Sequence, residues 1–370
     1  MKMTINITEK CNMACGYCYD RSKNPVSTNF DIIKKAIDMS ARQDESTGIC
    51  FFGGEPLLEK ELINEAVNYS SAIHKETGHK FYYKITTNGT LLDESFLQLA
   101  KKANIIIAVS HDGLMSEGGR KYTAAADVNT EKLQMLLRYQ PYAIALTTVN
   151  PLSVNLFADS VEWLFDQGFR YLITSPAHGA FIPWDEKNCD LLKEQYQKIA
   201  RLYIKWTKAG RKFYLGAFET KIASHIEGEK YTQKHCHIGK DQISVAADGK
   251  IYPCTQFVGN PAYCLGDVWQ GIDPQRQQAL ALHCCGSPLC GKCAVSSRCI
   301  HTCGCMNCLD TGSVDQVSPF QCRHEKMLIS IVDKTAEKLY RGKNQRFIAK
   351  HYDPSYPLVS LIEDGLRRIS

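Results

Sequence analysis

The 370-residue sequence predicts an α/β protein: a partial (β/α)6 TIM barrel, then a cysteine-rich domain, then a helical tail. Three observations carry this. Six short apolar runs alternate with six helical patterns over the first two-thirds of the chain, which implies a parallel sheet with helices outside. Short polar and glycine-bearing motifs follow the ends of successive strands, where barrel-type α/β folds place their active sites. From about Ser224 the alternation gives way to turn residues and cysteines.

In order, Met3–Thr8 reads as the first strand, followed by a cysteine loop and a helix near Phe30–Arg42. Gly48–Phe52 precedes a helix near Glu59–Glu76, and Phe81–Thr86 one near Asp93–Lys102. Ile105–Val109 precedes a helix near Asn129–Tyr139, and Ala143–Val149 one near Val154–Gln167. Tyr171–Thr174 leads into a long helix within Asp185–Lys208. Farther on, Asp248-Gly249 between Ile243–Ala247 and Ile251–Tyr252 predicts a β-hairpin. Glu325–Tyr340 is again helical. The domains expected are residues 1–223, 224–324 and 325–370.

Composition narrows the class. A net charge of +5 with scattered basic residues gives no footprint for nucleic acid. No apolar run reaches transmembrane length, and Lys2, Asn6, Glu9 and Lys10 interrupt any signal-peptide pattern. Seventeen cysteines are the anomaly, twelve of them between Cys236 and Cys322. A disulfide framework suits a small secreted chain, so a cytoplasmic metalloprotein is expected here.

Cys11-x3-Cys15-x2-Cys18 supplies three thiolates, enough for one face of a cubane cluster with one iron left open for chemistry. Gly53-Gly54-Glu55-Pro56 follows the second strand; its glycines allow close backbone approach, and its carboxylate is a candidate holder of an ammonium group. Thr87-Asn88-Gly89-Thr90 follows the third strand and Ser110-His111-Asp112-Gly113 the fourth. Asn150 closes the fifth. Each segment alone reads equally as a loop cap. Four in sequence behind a three-cysteine loop do not.

Together these motifs, with Tyr17 as the aromatic before the third cysteine, resemble the radical S-adenosylmethionine (SAM) enzymes. The resemblance implies a [4Fe–4S] cluster on Cys11, Cys15 and Cys18 that cleaves SAM to a 5′-deoxyadenosyl radical. It places Tyr17, Gly53, Gly54, Glu55, Pro56, Thr87, Asn88, Ser110 and Asn150 around SAM. Arg120 is a further candidate at shortened spacing, with a solvated surface arginine as the competing reading. No catalytic base is named.

The second half resembles the SPASM domain of the same family: Cys236-x12-Gly249-x4-Cys254, then Cys290-x2-Cys293-x5-Cys299-x3-Cys303, then Cys322. A zinc ribbon is the competing reading. The resemblance implies two auxiliary [4Fe–4S] clusters, making three in all. Cys290, Cys293, Cys299 and Cys322 hold the outer one, and Cys236, Cys254 and Cys303 the inner one. Sulfatase maturases have another ligand where this chain has Gln242. Either Cys264, Cys284, Cys285, Cys305 or Cys308 completes the inner set, or the site stays open for a substrate thiolate.

The family's SPASM members mostly modify peptides. Thr255 stands where sulfatase maturases carry a proton-accepting Asp. Ile251–Gly259 looks like the matching run in maturases of ribosomally made, cysteine-containing peptides. The expected function is thioether cross-linking of such a peptide. The alternatives are formylglycine formation, epimerisation or C–C cross-linking, and, in another class, a non-radical iron–sulfur electron-transfer protein. Expected partners are the peptide and a flavodoxin or ferredoxin electron donor; since the first strand starts by residue 3, the leader is expected to bind a separate leader-binding protein or the enzyme's own surface.

Overall fold

A computed structural model describes residues 2–20, 25–42, 45–120, 130–228, 230–231, 238–240, 242–283, 290–358 and 360. Strands β1 (Lys2–Thr8), β2 (Ser46–Gly53), β3 (Lys80–Thr87), β4 (Ile105–Ser110), β5 (Ile144–Val149), β6 (Tyr171–Pro176) and β7 (Tyr214–Leu215) lie side by side in chain order, each parallel to the next. Helices α1 (Phe30–Ala41), α2 (Lys60–Thr77), α3 (Glu94–Lys102), α4 (Thr130–Tyr139), α5 (Phe157–Asp166) and α6 (Glu186–Lys208) connect them. This is the mixed α/β, parallel-sheet fold that the alternation predicts.

Local chemistry sets the boundaries. Asn29, Asp93 and Asp185 accept N-cap bonds from Ile32, Phe96 and Asn188, which satisfies otherwise orphaned N–H groups. Gly78 ends α2 in the left-handed conformation. The inward residues Ile5, Phe51, Ile85, Ile107 and Ala145 are fully buried and form one core with the inner faces of the helices.

The sheet does not stop at the boundary expected near residue 224. Helix α7 (Gly216–Glu227) leads toward β8 (Gln242–Val245), which pairs in parallel with the free side of β1. Asn6 on β1 fixes this pairing: its buried Nδ2 donates to Ser244 Oγ and Val245 O, both at 2.9 Å. The expected hairpin forms between β8 and β9 (Lys250–Tyr252), and β10 (Gly266–Asp267) and β11 (Gly271–Ile272) extend it antiparallel. Among the described residues, the result is one sheet of eleven strands with β1 inside it.

Helices α8 (Pro274–His283), α9 (Gly304–Thr311), α10 (Pro319–Arg341) and α11 (Gln345–Tyr352) follow. Helix α10 packs on α6 and α7. There Lys221 Nζ lies 2.7 Å from Glu325 Oε2, both side chains almost wholly buried, and the same oxygen accepts from Ile300 N–H at 2.9 Å. Among the described residues, no helix is long and apolar enough to cross a membrane.

Candidate active site

The loop after β1 is held from four sides. Gly54 N–H donates to Thr8 O at 2.7 Å, and Glu55 N–H to Lys10 O at 2.8 Å. A Cβ on Gly54 would lie 2.2 Å from Lys10 O, and one on Gly53, whose φ is +136°, 2.0 Å from Thr8 O. The paired glycines therefore let the β2 loop close on the root of the cysteine loop, a neighbour within the chain rather than a ligand. Asn88 Nδ2 donates to Asn12 Oδ1 and Asn12 Nδ2 to Thr90 Oγ1, both at 2.8 Å. Gly16 N–H donates to Gly119 O at 2.9 Å. Tyr17 OH donates to Asp112.

Asp112 is the junction behind the loop, wholly buried. Its Oδ1 accepts from Thr148 N–H at 2.9 Å, and Arg120 Nε lies 3.1 Å from its Oδ2. Arg120 is 8% exposed and its guanidinium stands over the Tyr17 ring at 5.8 Å. The surface alternative for Arg120 is thereby corrected.

One cavity of about 490 Å³ gathers these parts. Cys11, Cys15, Tyr17, Cys18, Gly53, Gly54, Thr87, Asn88, Ser110 and Arg120 all line it, so ten expected site residues share a wall. Residues from the C-terminal half, Thr255, Gln256, Met306 and Leu309, close it. A larger groove of about 870 Å³ reaches Ser46 and Lys80, at the opposite ends of the strands.

Three expected residues stand off that wall. Glu55 is fully buried, and its carboxylate accepts from Leu57 N–H at 3.0 Å, Thr87 Oγ1 at 2.7 Å and Asn88 N–H at 2.7 Å. Burial pushes its pKa up against these bonds. The carboxylate shapes the turn after β3 and does not line the cavity. Pro56 is buried at the start of the following turn. Asn150 lies behind Gly119, where its Nδ2 is buried with no hydrogen-bond partner and would meet a Gly119 Cβ at 2.6 Å.

The donor chemistry of the loop fits an iron–sulfur cluster. Among the described residues, no two cysteines are joined in a disulfide. Burial raises the Cys15 thiol, and the nearby Arg120 charge opposes that shift. Among the described residues no three His, Cys, Asp or Glu side chains converge as they would on a single ion. A cubane does not require that, because each thiolate binds a different iron.

In the C-terminal half, Cys305 Sγ lies 3.4 Å from Cys303 Sγ. Hydrogen bonding from Cys305 draws the Cys254 thiol down to about 6 and lowers that of Cys303, while Cys305 itself is raised. Cys254, Cys303 and Cys305 thus form one group. Cys264 instead points at Gly266 O, 3.4 Å away, and Cys308 faces Tyr263 OH at 3.6 Å. Cys290 opens one short turn and Cys293 follows it, Cys299 caps the next, and Cys322 is in the first turn of α10. Cys236, Cys284 and Cys285 lie outside the described residues.

Residues 5–148 match the model of the radical SAM superfamily. This chain carries a radical SAM domain. The domain implies one [4Fe–4S] cluster and SAM. An uncharacterized protein of Methanocaldococcus jannaschii is 26% identical over 273 residues, covering 72% of this chain and 88% of that protein. A cysteine-type anaerobic sulfatase-maturating enzyme of Clostridium novyi is 24% identical, covering 68% and 72%. The antilisterial bacteriocin subtilosin biosynthesis protein AlbA of Bacillus subtilis is 25% identical, covering 72% of this chain and 57% of AlbA.

Two solved structures share the fold. anSMEcpe with bound AdoMet and Kp18Cys peptide superposes with a TM-score of 0.78 at 16% identity, covering 90% of this chain and 98% of that one. Streptococcus suis SuiB bound to precursor peptide SuiA gives 0.61 at 15% identity, covering 87% and 75%.

Sequence reasoning missed two parts of the site. Asp112 was visible only as one letter of a turn motif. His178, on the cavity wall just after β6, carried one usable signal: it follows a strand end, as the recognised motifs do.

Proposed function

We propose that this chain is a radical SAM enzyme that modifies a ribosomally made peptide by joining a cysteine sulfur to carbon. The observation that carries this reading is the shared cavity. Cys11, Cys15, Cys18 and the SAM-side turns form one wall, and the C-terminal cysteine region supplies the other. The likeness to AlbA and to the sulfatase-maturating enzymes supports a peptide as substrate. Thr255, on the wall, supports cross-linking over formylglycine formation, because a hydroxyl is no base at neutral pH.

In this reading Cys11, Cys15 and Cys18 hold the cluster. Gly53, Gly54, Thr87, Asn88, Ser110 and Arg120 surround SAM, with Asn150 behind Gly119. The bound cluster and SAM supply a 5′-deoxyadenosyl radical that takes a hydrogen atom from an unactivated C–H bond. The fold's part is to brace the loop from β2, β3 and β4 and to wall off water. Residues 224–324 form the auxiliary-cluster domain, with Cys290, Cys293, Cys299 and Cys322 on the outer cluster and Cys236, Cys254 and Cys303 on the inner. Cys305 is the resident fourth ligand of the inner set, supported by its closeness to Cys303; a substrate thiolate would have to displace it. A flavodoxin or ferredoxin supplies electrons.

A second reading, sulfatase maturation, is favoured by the extent of the fold match to anSMEcpe. Mass spectrometry separates the two. Loss of two hydrogens per cross-link supports the thioether, and an aldehyde on a former cysteine supports the maturase. Iron analysis bears on the clusters: about twelve iron per chain fits three, and about four refutes the auxiliary pair.

A further inference from the structure

We infer that His178, oriented by Asp310, accepts the proton released by the substrate's cysteine thiol. This rests on the thioether reading above and supplies the base that Thr255 cannot.

His178 begins the loop after β6 and lines the same cavity as Cys11, Cys15 and Cys18. Its Nδ1 lies 3.1 Å from Asp310 Oδ2. The other partners of that carboxylate are Gly179 N–H, which donates to Oδ1, and Ser318 Oγ, which donates to Oδ2, both at 2.7 Å. The three bonds outweigh burial and hold the Asp310 carboxyl below its usual value, so it stays charged. A charged acceptor at Nδ1 keeps the proton on that nitrogen and leaves the lone pair on Nε2. Nε2 is buried with no hydrogen-bond partner, on a side chain only 8% exposed.

The support is stiff. Ala180 N–H donates to Leu309 O and Trp184 Nε1–H to Ala177 O, each at 2.9 Å, which ties the loop to α9 and to itself. The Phe320 ring packs 5.8 Å from the imidazole. This arrangement of base, orienting carboxylate and unpartnered nitrogen is the one general-base catalysis uses.

The step balances as follows. The substrate C–H bond breaks, and its hydrogen atom goes to the 5′-deoxyadenosyl carbon. The S–H bond breaks with its proton passing to His178 Nε2. The C–S bond forms, and the one surplus electron leaves to an iron–sulfur acceptor held by the C-terminal cysteines.

The test uses the reconstituted full chain under anaerobic conditions with dithionite and SAM. The probes are synthetic cysteine-containing peptides, Kp18Cys among them, deuterated at the carbons beside the thiol-bearing residues. His178→Gln should lower thioether formation by about 10²–10⁴-fold and raise the 5′-deoxyadenosine released per product, with deuterium still reaching 5′-deoxyadenosine. Asp310→Asn should act in the same direction. Cross-linking by His178→Gln within about a factor of three of wild type overturns the inference. So does loss of 5′-deoxyadenosine in step with product, which marks a structural role. Asp20 also lines the wall; uncoupling by Asp20→Asn alone would move the role there. If the wild type cross-links none of the peptides, the thioether reading itself has failed.

Discussion

Asp112→Asn keeps the shape of the junction and removes its charge. The carboxylate serves Thr148 N–H through Oδ1, and Tyr17 OH and Arg120 through Oδ2. An amide has one acceptor oxygen. If it stays on Thr148, an NH2 group faces the other two donors. Tyr17 can turn its hydroxyl and accept instead, but a guanidinium cannot accept. The damage therefore concentrates on Arg120, whose side chain is 7% exposed. Breaking a buried pair costs about 3–5 kcal/mol, roughly a hundred- to several-thousandfold in the folding equilibrium. Anaerobic urea unfolding reads that loss, and equilibrium dialysis reads the expected fall in SAM affinity. Arg120→Met with the double variant isolates the pair, with a coupling of at least about 1 kcal/mol expected. An Asp112→Asn protein matching wild type in urea midpoint and SAM affinity would refute the reasoning.

Gly54→Ala forces a methyl to 2.2 Å from Lys10 O; an overpacking cost of about 1–3 kcal/mol and loss of iron at the Cys11 loop are expected, read by urea unfolding and iron content. Lys221→Met strands the buried Glu325 carboxylate and should destabilise by about 3–5 kcal/mol, more than the double variant with Glu325→Gln, as measured by chemical unfolding. Burial depresses His324 to about 4. Its folded pKa lies below the unfolded value near 6.5, so the unfolded chain binds more protons between those limits and stability falls as pH drops through that window, by about 3 kcal/mol for this group. Urea midpoints from pH 7 to pH 4 check this: His324→Gln should show a shallower slope than wild type.

The six strand–helix units were legible because their patterns alternate between periods of two and 3.6, with caps such as Asn29 and Asp93 at the joints. Strand β7 was not, since two residues carry no period. Helix α7 buries Glu219 and Lys221 along with Phe218 and Ile222, so no apolar stripe marks it. The cysteine loop and the turns after β2 to β4 were readable as motifs because each is local in sequence. Their mutual contacts were not. Glu55 serves Asn88 across 33 residues, and His178 meets Asp310 across 132, partners no local pattern announces. The hairpin at Asp248-Gly249 was visible, but its alliance with β1 depends on Asn6 reaching Ser244 across 238 residues.

That alliance makes β1 a ruler. Lys2 sits opposite Gln242 and Ile5 opposite Val245, so the strand that launches Cys11 and the hairpin that leads to Cys254 share one set of hydrogen bonds. A slip of one residue is about 3.3 Å and turns every side chain to the other face. Spacing between the two thiol regions is thus quantised by strand register. Insertions in the loops of either half can change what the cavity admits without altering that span.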